Sequence, residues 1–491
     1  MMKLKNITTL SVALVALFTT QSCNKYLDTE PDNRTEITTV DKLSQLVTTA
    51  YPDRDYLYFT EAASDNSEDK GNGVGALTNV ISTPYAWQDF VGSDTGSPTA
   101  YWNACYEAIA AANQALEAIE KNNFGNAALP YKGEALVARA YAHFMLVNFF
   151  ARVYEINGAN SSPGVPYVTA PETRVIQNYE RGTVSSTYQK IEDDLKAGMA
   201  LLNATAYEVP KYHFTPAAAN AFAARFYLFK GEWQKVVDFA TATVPAGDFL
   251  NNIRPISTTL RAYGTAEFNL AFTRSDQKYN LLLASTYSLF QRQNTPRQGY
   301  GQNLVKMYGV NYNFTGKATG HKILFNGVPN YTTYKYKELF FRDTPNAPTG
   351  VPYIMMPLFT TDEALMNRAE AYAELGQLDN AVKDINTYYS TRVLSYSPTT
   401  DLATPARLST FYNITDQKQA VIKTILETKK IEFLQEGIRW LDIIRRGLTV
   451  VHNKYDSNND QTFVELKAGD NRRVFQIPEE AKLSGVPLNP R

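Results

Sequence analysis

Apolar residues recur every three or four positions along several long segments of the chain, which is the spacing of an amphipathic helix. This pattern predicts helices over 41–51, 101–121, 133–154, 183–202, 280–291 and, in two pieces broken at Gly437, over 416–448. Residues 55–98 are rich in Asp, Asn, Gly and Ser, which predicts a long loop insertion. The last residues, 473–491, predict an extended, proline-rich tail. The chain is therefore expected to be mainly α-helical.

Two separate segments share one internal pattern. NAFAARFYLFKGEWQKVV at 220–237 and LMNRAEAYAELGQLDNAV at 365–382 place a small residue, an aromatic residue, a glycine and an apolar residue at equal spacing. The glycines, Gly231 and Gly376, suit a sharp reversal between two helices. This is the tetratricopeptide pattern. We expect about four degenerate helix pairs in a scaffold, with a loop-rich part and short strands over 245–360.

The N-terminus has the pattern of an export signal. Two lysines precede the apolar run 10–18, which is too short to cross a bilayer as a helix. Residues 1–22 are therefore predicted to be a signal peptide, and Cys23, which follows a small residue, is predicted to be lipidated. Polar, acidic residues over 23–40 predict a flexible tether. The alternative is an ordinary signal peptide followed by a free thiol.

Composition and motifs argue against several kinds of function. The formal net charge is −1 and the chain has no basic tract, which argues against a nucleic-acid partner. The four histidines are scattered without metal-ligand spacing, and Cys105 lies in a helical pattern where a small buried residue is expected. No nucleophile elbow or phosphate-binding loop is present. We therefore predict no catalytic residue, no metal and no cofactor, although spatially paired carboxylates cannot be read from sequence.

The segment KKIEFLQEGIRWLDIIRRG at 429–447 mixes charged residues with large apolar ones. Its helical spacing predicts a ladder of i, i+3 ion pairs, Glu436–Arg439, Arg439–Asp442 and Asp442–Arg445. Because these charges lie among apolar residues, they must be paired if they are buried. A structural ion-pair network is therefore favoured over an active site.

This segment resembles the C-terminal signature of the SusD/RagB family of outer-membrane lipoproteins, roughly R-R-x-E-L-x-x-E-G-x-R-W-x-D-L-x-R. The matching positions are Glu432, Glu436, Gly437, Arg439, Trp440, Asp442 and Arg445. Other segments agree in the family's order, among them SCNKYLDTEP, YWNACYEAIAAANQAL and LMNRAEAYAELGQLDNAVKDIN. The resemblance implies an N-terminal part over 41–245 and a C-terminal part over 246–491, the latter with a helix pair at 362–392 and closing helices at 417–448.

The resemblance also implies a function. It indicates a mainly α SusD-like fold and a non-catalytic lipoprotein on the outer face of the outer membrane. Such a protein captures an oligosaccharide, or in some members a peptide, and delivers it to a SusC-like, TonB-dependent transporter. Two other classes stay open: a glycan-degrading surface enzyme, and a tetratricopeptide scaffold that binds only proteins.

Aromatic faces bind the C–H side of sugars, and polar side chains bind the hydroxyls. Two non-helical segments, 64–90 and 292–314, combine both residue types, and in the resembled family ligand contacts come from loops in these regions. The candidate ligand-binding residues are Asp65, Asn66, Tyr85, Trp87, Arg297, Tyr300, Tyr308 and Tyr312.

Overall fold

The structure is a computed structural model that describes residues 36–174, 176–292 and 295–491. The predicted signal peptide, Cys23 and most of the predicted tether over 23–40 lie outside the described residues. Residues Thr39–Arg491 form one compact unit. The division of the chain at 245/246 stays a prediction.

Helices supply most of the regular structure. Their bounds are α1 Val40–Val47, α2 Leu57–Ala63, α3 Asn79–Tyr85, α4 Pro98–Lys121, α5 Leu129–Phe150, α6 Val184–Met199, α7 Pro216–Lys230, α8 Trp233–Thr241, α9 Thr265–Phe272, α10 Gln302–Val305, α11 Thr361–Glu374, α12 Leu378–Ser390, α13 Pro405–Tyr412, α14 Gln417–Glu432 and α15 Arg439–Arg446. Several helices begin where a hydroxyl side chain accepts a hydrogen bond from a free backbone N–H of the first turn, as Ser97, Thr215 and Thr360 do.

The strands are short and form small antiparallel sheets. Their bounds are β1 Glu68–Asp69, β2 Asn280–Tyr287, β3 Gln298–Gly299, β4 Leu324–Phe325, β5 Tyr331–Thr332, β6 Leu339–Phe341, β7 Val351–Thr360, β8 Val450–Tyr455 and β9 Gln461–Leu466. The largest sheet has the order β2-β7-β6, and β1 pairs with β3, β4 with β5, and β8 with β9. The mainly α expectation is confirmed.

The internal repeat is confirmed as two helix pairs that pack together. The pairs are α7 with α8 and α11 with α12, and α11 packs against both α7 and α8. The connecting glycines have the left-handed backbone that the repeat requires, with φ of 72° at Gly231 and 76° at Gly376. The closing helix α14 packs against α11 and α12. The scaffold therefore joins segments that are far apart in sequence.

Aromatic side chains join the helical scaffold to the main sheet. The Tyr141 ring of α5 lies with its centroid 5.6 Å from the centroids of Phe222 in α7 and Phe359 in β7. All three side chains are buried. Among the described residues, no helix has both the length and the apolar character that a membrane crossing needs.

Three local predictions were wrong. Residues 280–291 contain β2 rather than a helix, because a short apolar run suits a buried strand equally well and β7 supplies the pairing partner. The predicted loop 55–98 contains α2 and α3; every residue of α2 is buried, so tertiary packing stabilises a helix too short to form alone. The C-terminal tail carries a 3₁₀ helix over Glu479–Ser484.

Candidate functional site

The signature residue Glu432 lies at the centre of a buried charge cluster. Its carboxylate accepts hydrogen bonds from Arg392 (2.9 Å from Nη2) and Tyr388 (2.8 Å from the hydroxyl). Nη1 of Arg254 lies 3.3 Å from Oε1 of Glu432, and it also donates a hydrogen bond to Oε1 of Glu436 at 3.0 Å. Burial alone would raise the pKa of Glu432, yet Arg392 and the other donors hold it well below its usual range. The cluster is a closed structural network, because its charges face one another.

The predicted ion-pair ladder forms at only one of its three steps. Asp442 and Arg445 pair at 2.5 Å within α15. Glu436 instead pairs with Arg254, because α14 ends at Glu432 and the chain turns before α15 begins. The prediction was therefore wrong for Glu436–Arg439, since i, i+3 spacing holds only inside one continuous helix. It was also wrong for Arg439–Asp442: both lie in α15, but Arg439 pairs with Asp65 and Asp442 pairs with Lys429 and Arg445.

Gly437 makes this turn possible. Its φ is +75°, and a Cβ atom there would lie 2.7 Å from the ring of Tyr56. Its N–H donates to Oε1 of Glu61 at 2.7 Å. The signature glycine thus connects the C-terminal turn to α2. Trp440 is fully buried in the core beside it.

Asp65, a predicted ligand residue, has partners inside the protein. Its carboxylate accepts hydrogen bonds from Arg439 at 2.9 Å and Lys430 at 2.9 Å. Burial opposes ionisation, but these two cations hold the pKa of Asp65 well below its usual range. These two ion pairs join the loop after α2, which carries Asp65, to the signature segment.

Tyr85 and Trp87 are packed against the C-terminal hairpin. Their rings stack on His452 of β8, with ring centroids 4.1 Å and 4.5 Å from the imidazole. Trp87 Nε1 donates to the Ala63 carbonyl at 2.9 Å, and the Tyr85 hydroxyl donates to the Asn453 carbonyl at 2.7 Å. Both side chains are at most 5 % exposed, so the protein itself covers the ring surfaces on which a sugar would stack.

The predicted residues of the second segment occupy different environments. Arg297 binds Asp69 with two hydrogen bonds of 2.7 and 2.9 Å, beside the β1–β3 pair. Tyr308 is buried and donates to the Ile431 carbonyl at 2.9 Å. Tyr312 is 50 % exposed. Contact of these side chains with a ligand stays a prediction.

Asn66 and Tyr300 come together from the two predicted segments at one small cavity of about 40 Å³. We call this site the aromatic cleft; it is lined by Tyr58, Glu61, Asn66, Ser67, Lys70, Phe290, Gln298, Tyr300, Tyr331 and Gln435. Among the described residues, the Asn66 Oδ1, Gln298 Oε1 and Tyr300 hydroxyl oxygens are buried with no hydrogen-bond partner. Such groups need a partner, and a cavity of this size accepts a water or a ligand hydroxyl.

An exposed aromatic surface continues from the cleft to the outside. Phe325 is 60 % exposed, and its ring centroid lies 5.6 Å from that of Tyr331, which lines the cleft. Both belong to the β4–β5 hairpin. At the hairpin turn, Asn330 accepts a hydrogen bond from Lys70 at 2.6 Å. Sequence reasoning missed these residues, although FNGVPNY carries a turn signal between two aromatics.

One carboxyl group, of Glu61, and one amino group, of Lys70, line the cleft. Burial raises the pKa of Glu61 to about 7, although the hydrogen bond from the Gly437 N–H favours the ionised form and opposes this rise. Burial lowers the pKa of Lys70 to about 8. Within the described ranges, no group of three or more His, Cys, Asp and Glu side chains is placed to hold a metal ion.

Comparison with known proteins identifies the family. Residues 237–484 match the model of the SusD family, and residues 25–228 match a SusD-like family described as starch-binding and associating with the outer membrane. The match over residues 237–484 alone covers half of the 491-residue chain. The chain therefore belongs to the SusD family.

Individual relatives are distant in sequence but similar over their whole length. A SusD-like protein from Formosa agariphila is 21 % identical, with 92 % of this chain and 93 % of the relative covered. A solved SusD-superfamily structure from Bacteroides vulgatus has a TM-score of 0.64 at 18 % identity, covering 92 % of this chain and 99 % of its own. A laminarin-binding SusD-like protein has a TM-score of 0.59 at 16 % identity, covering 91 % and 97 %. These similarities show the SusD-like fold.

Proposed function

We propose that this protein is a cell-surface lipoprotein that binds an oligosaccharide in the aromatic cleft and passes it to a TonB-dependent outer-membrane transporter. The observation that carries the proposal is the meeting of an exposed aromatic surface with buried, unpartnered polar atoms. A sugar ring has an apolar C–H face and a polar edge, so it needs both kinds of group at one place.

The aromatic surface and the cavity would contact different parts of the sugar. A pyranose ring stacks on Phe325, which is 60 % exposed, and its edge reaches Tyr331, which lines the cavity. One hydroxyl or hydroxymethyl group enters the cavity, which is too small for a whole ring. There it donates to the carbonyl oxygen of Asn66 or Gln298. The family description and the laminarin-binding relative support a glycan ligand.

The carboxylates of the site support a non-catalytic role. Glycoside hydrolysis uses two carboxyl groups on either side of the scissile bond. Glu61 is the acidic residue among those that line the cavity, and its Oε1 atom already accepts from the Gly437 N–H. Asp65 is held by Arg439 and Lys430. Capture without cleavage therefore fits these residues.

Anchoring at the membrane rests on the N-terminal sequence. Lipidation of Cys23 would fix the protein to the outer membrane through acyl chains, and the acidic tether would let it reach a transporter. Metabolic labelling with a palmitate analogue should mark the wild type and leave Cys23→Ala unlabelled. Labelling of the variant would contradict this part of the proposal.

The ligand is tested by calorimetric titration of the lipid-free protein. The panel contains laminarin oligosaccharides, starch oligosaccharides and short peptides, with product analysis after each titration. We expect saturable binding of one glycan class without cleavage, and at least a tenfold weaker Kd for Tyr331→Ala. Phe463→Ala is the matched control, because Phe463 is 66 % exposed, does not line the cleft and is not a candidate ligand residue; this variant should bind like the wild type.

The outcomes separate the remaining classes of function. Selective peptide binding that Tyr331→Ala weakens would replace the glycan with a peptide at the same site. Cleaved glycan in the product analysis would identify an enzyme. Equal loss of affinity in the Tyr331 and Phe463 variants would overturn the aromatic cleft as the site.

A further inference from the structure

The hairpin of β6 and β7 exposes large apolar side chains. Leu339, Phe340 and Phe341, the three residues of β6, are each at least 40 % exposed, as is Val351 opposite Phe341. Apolar side chains that are exposed together mark a contact with another molecule. We call residues 337–343, which have β6 at their centre, the β6 edge. The proposed glycan site does not use them.

β6 is also an outer strand of its sheet. The order β2-β7-β6 gives it one neighbour, β7. The outer strand on the other side, β2, is covered by the rest of the protein, since residues 281–284 are at most 7 % exposed. The β6 edge is therefore the accessible edge of this sheet.

The register determines which backbone groups face the accessible edge. Phe340 lies opposite Pro352, whose carbonyl accepts a hydrogen bond from the Ser288 N–H at 3.1 Å on the β2 side. Opposed residues of an antiparallel pair exchange both hydrogen bonds or neither, so the Phe340 N–H and C=O point away from β7. The same alternation turns the backbone of Glu338 and Arg342 outward. Among the described residues, no hydrogen bond from outside the sheet reaches these three backbones.

The charges of the β6 edge make the segment complementary to itself. Its sequence over 337–343 is KELFFRD. When two copies run antiparallel with Phe340 opposite Phe340, each charged side chain faces one of opposite sign, and apolar side chains face each other. The facing pairs, each formed twice, are Lys337 with Asp343, Glu338 with Arg342, and Leu339 with Phe341. Opposite charges and apolar pairs directly across two strands stabilise their pairing.

Other antiparallel registers lose this match. Outward-facing residues pair only with each other, so the register changes in steps of two residues. One step in either direction places Glu338 or Arg342 opposite Phe340. A second step places Glu338 opposite Glu338, or Arg342 opposite Arg342, where like charges repel. The sequence thus favours the register that is centred on Phe340.

The charges of the β6 edge are available for a partner. In the part of the chain that the structure describes, Lys337, Arg342 and Asp343 are exposed and make no ion pair. Glu338 accepts a hydrogen bond from Arg292 at 2.7 Å, which holds its carboxylate beside the Phe340 ring. The Arg342 guanidinium lies 5.3 Å from the centroid of the same ring. Glu338, Phe340 and Arg342 therefore share one face of the strand.

We propose that two copies of this protein associate through their β6 edges, with a two-fold axis at Phe340. Backbone hydrogen bonds join the two three-stranded sheets, and the charge pairs determine the register. The contact is short, so the dimer is expected to be weak. The residues of the aromatic cleft take no part, and failure of either proposal leaves the other intact.

The first measurement is sedimentation velocity of the lipid-free protein from about 1 to about 300 µM, a range that covers weak association. We expect a concentration-dependent shift from monomer to dimer. In a dimer of the Lys337→Glu variant, the new carboxylate faces Asp343. In a dimer of the Asp343→Lys variant, the new ammonium faces Lys337. Each variant should therefore have a Kd at least about tenfold weaker than the wild type.

A mixture of the two variants gives the sharpest test. In a mixed dimer, each substituted side chain faces one of opposite charge, so the mixture should dimerise with nearly the wild-type Kd. Lys454→Glu is the matched control, because it makes the same change of charge at an exposed lysine of β8. It should dimerise like the wild type. Amide hydrogen exchange at Phe340 should slow as the wild-type concentration rises, because dimerisation engages its N–H.

Three results would overturn the proposal: a protein that stays monomeric up to about 300 µM, a dimer that Lys337→Glu and Asp343→Lys leave unchanged, or a mixture that dimerises no better than either variant alone. The second result would place the contact on another surface. Circular dichroism checks that the variants fold. If either does not, hydrogen exchange of the wild type decides, because an unchanged rate at Phe340 in the dimer excludes pairing through β6.

Discussion

Replacement of Glu61 by Gln tests the electrostatics of the aromatic cleft directly. Glu61 is 6 % exposed, and burial raises its pKa from 4.5 to about 7. Glutamine has nearly the same shape and its oxygen can still accept from the Gly437 N–H, which lies 2.7 Å from the present carboxylate. The variant therefore removes a titration and changes little else.

The sign of the effect follows from the direction of the shift. Below pH 4.5, Glu61 is protonated in the folded and unfolded protein alike, and its contribution to stability is fully present. As the pH rises from 4.5 through 7, the unfolded state ionises first and that contribution is lost. A difference of 2.5 pKa units, from 4.5 to about 7, corresponds to about 3 kcal/mol at roughly 1.4 kcal/mol per unit.

The assay is urea denaturation of the wild type and Glu61→Gln between pH 4 and pH 8, followed by tryptophan fluorescence. The free energy of unfolding of the variant, relative to wild type, should rise by about 3 kcal/mol across this range. Glu338→Gln is the control of opposite sign, because hydrogen bonds from Arg292 lower the pKa of Glu338. A pH-independent difference for Glu61→Gln would refute the reasoning.

Two further predictions concern the signature segment. Gly437→Ala should lower the thermal midpoint clearly more than Gly376→Ala; both positions have positive φ, but a Cβ at Gly437 meets the Tyr56 ring at 2.7 Å and one at Gly376 meets nothing within 4 Å. Equal effects in differential scanning calorimetry would show that crowding at Gly437 is unimportant. Glu432→Ala should destabilise the fold by about 3–5 kcal/mol in denaturant titration, because it leaves the buried Arg392 charge without its partner. A loss below about 1 kcal/mol, the value of an exposed pair, would show that the cluster is not desolvated as the structure indicates.

Much of the helical scaffold was predictable from sequence. The periodicity that defines α4, α5 and α14, and the repeat with glycines at Gly231 and Gly376, depend on contacts between residues three or four positions apart. The signature residues were found for a similar reason, since their order along the chain is itself the signal. Such local patterns can be recognised in the sequence without knowledge of the fold.

The candidate site could be predicted only in part. Composition located the two segments that meet at the cleft and included Asn66 and Tyr300. It could not show that Tyr85 and Trp87 lie against His452, which is 367 positions after Tyr85, because the stacking depends on the β8–β9 hairpin near the C-terminus. It also missed Tyr331 and Lys70, which line the same cavity from β5 and from beyond β1.

The sequence by itself determined most of the long helices, their repeat and the need to pair the charges of the signature, because these depend on local spacing and on the cost of burying a charge. The tertiary structure alone decided which partner each charge has: Glu436 binds Arg254, and Arg439 binds Asp65. It also decided that 280–287 is a strand paired with β7 rather than a helix. Strand pairing and burial join residues that are distant in the chain, and no local pattern specifies which distant residue will be there.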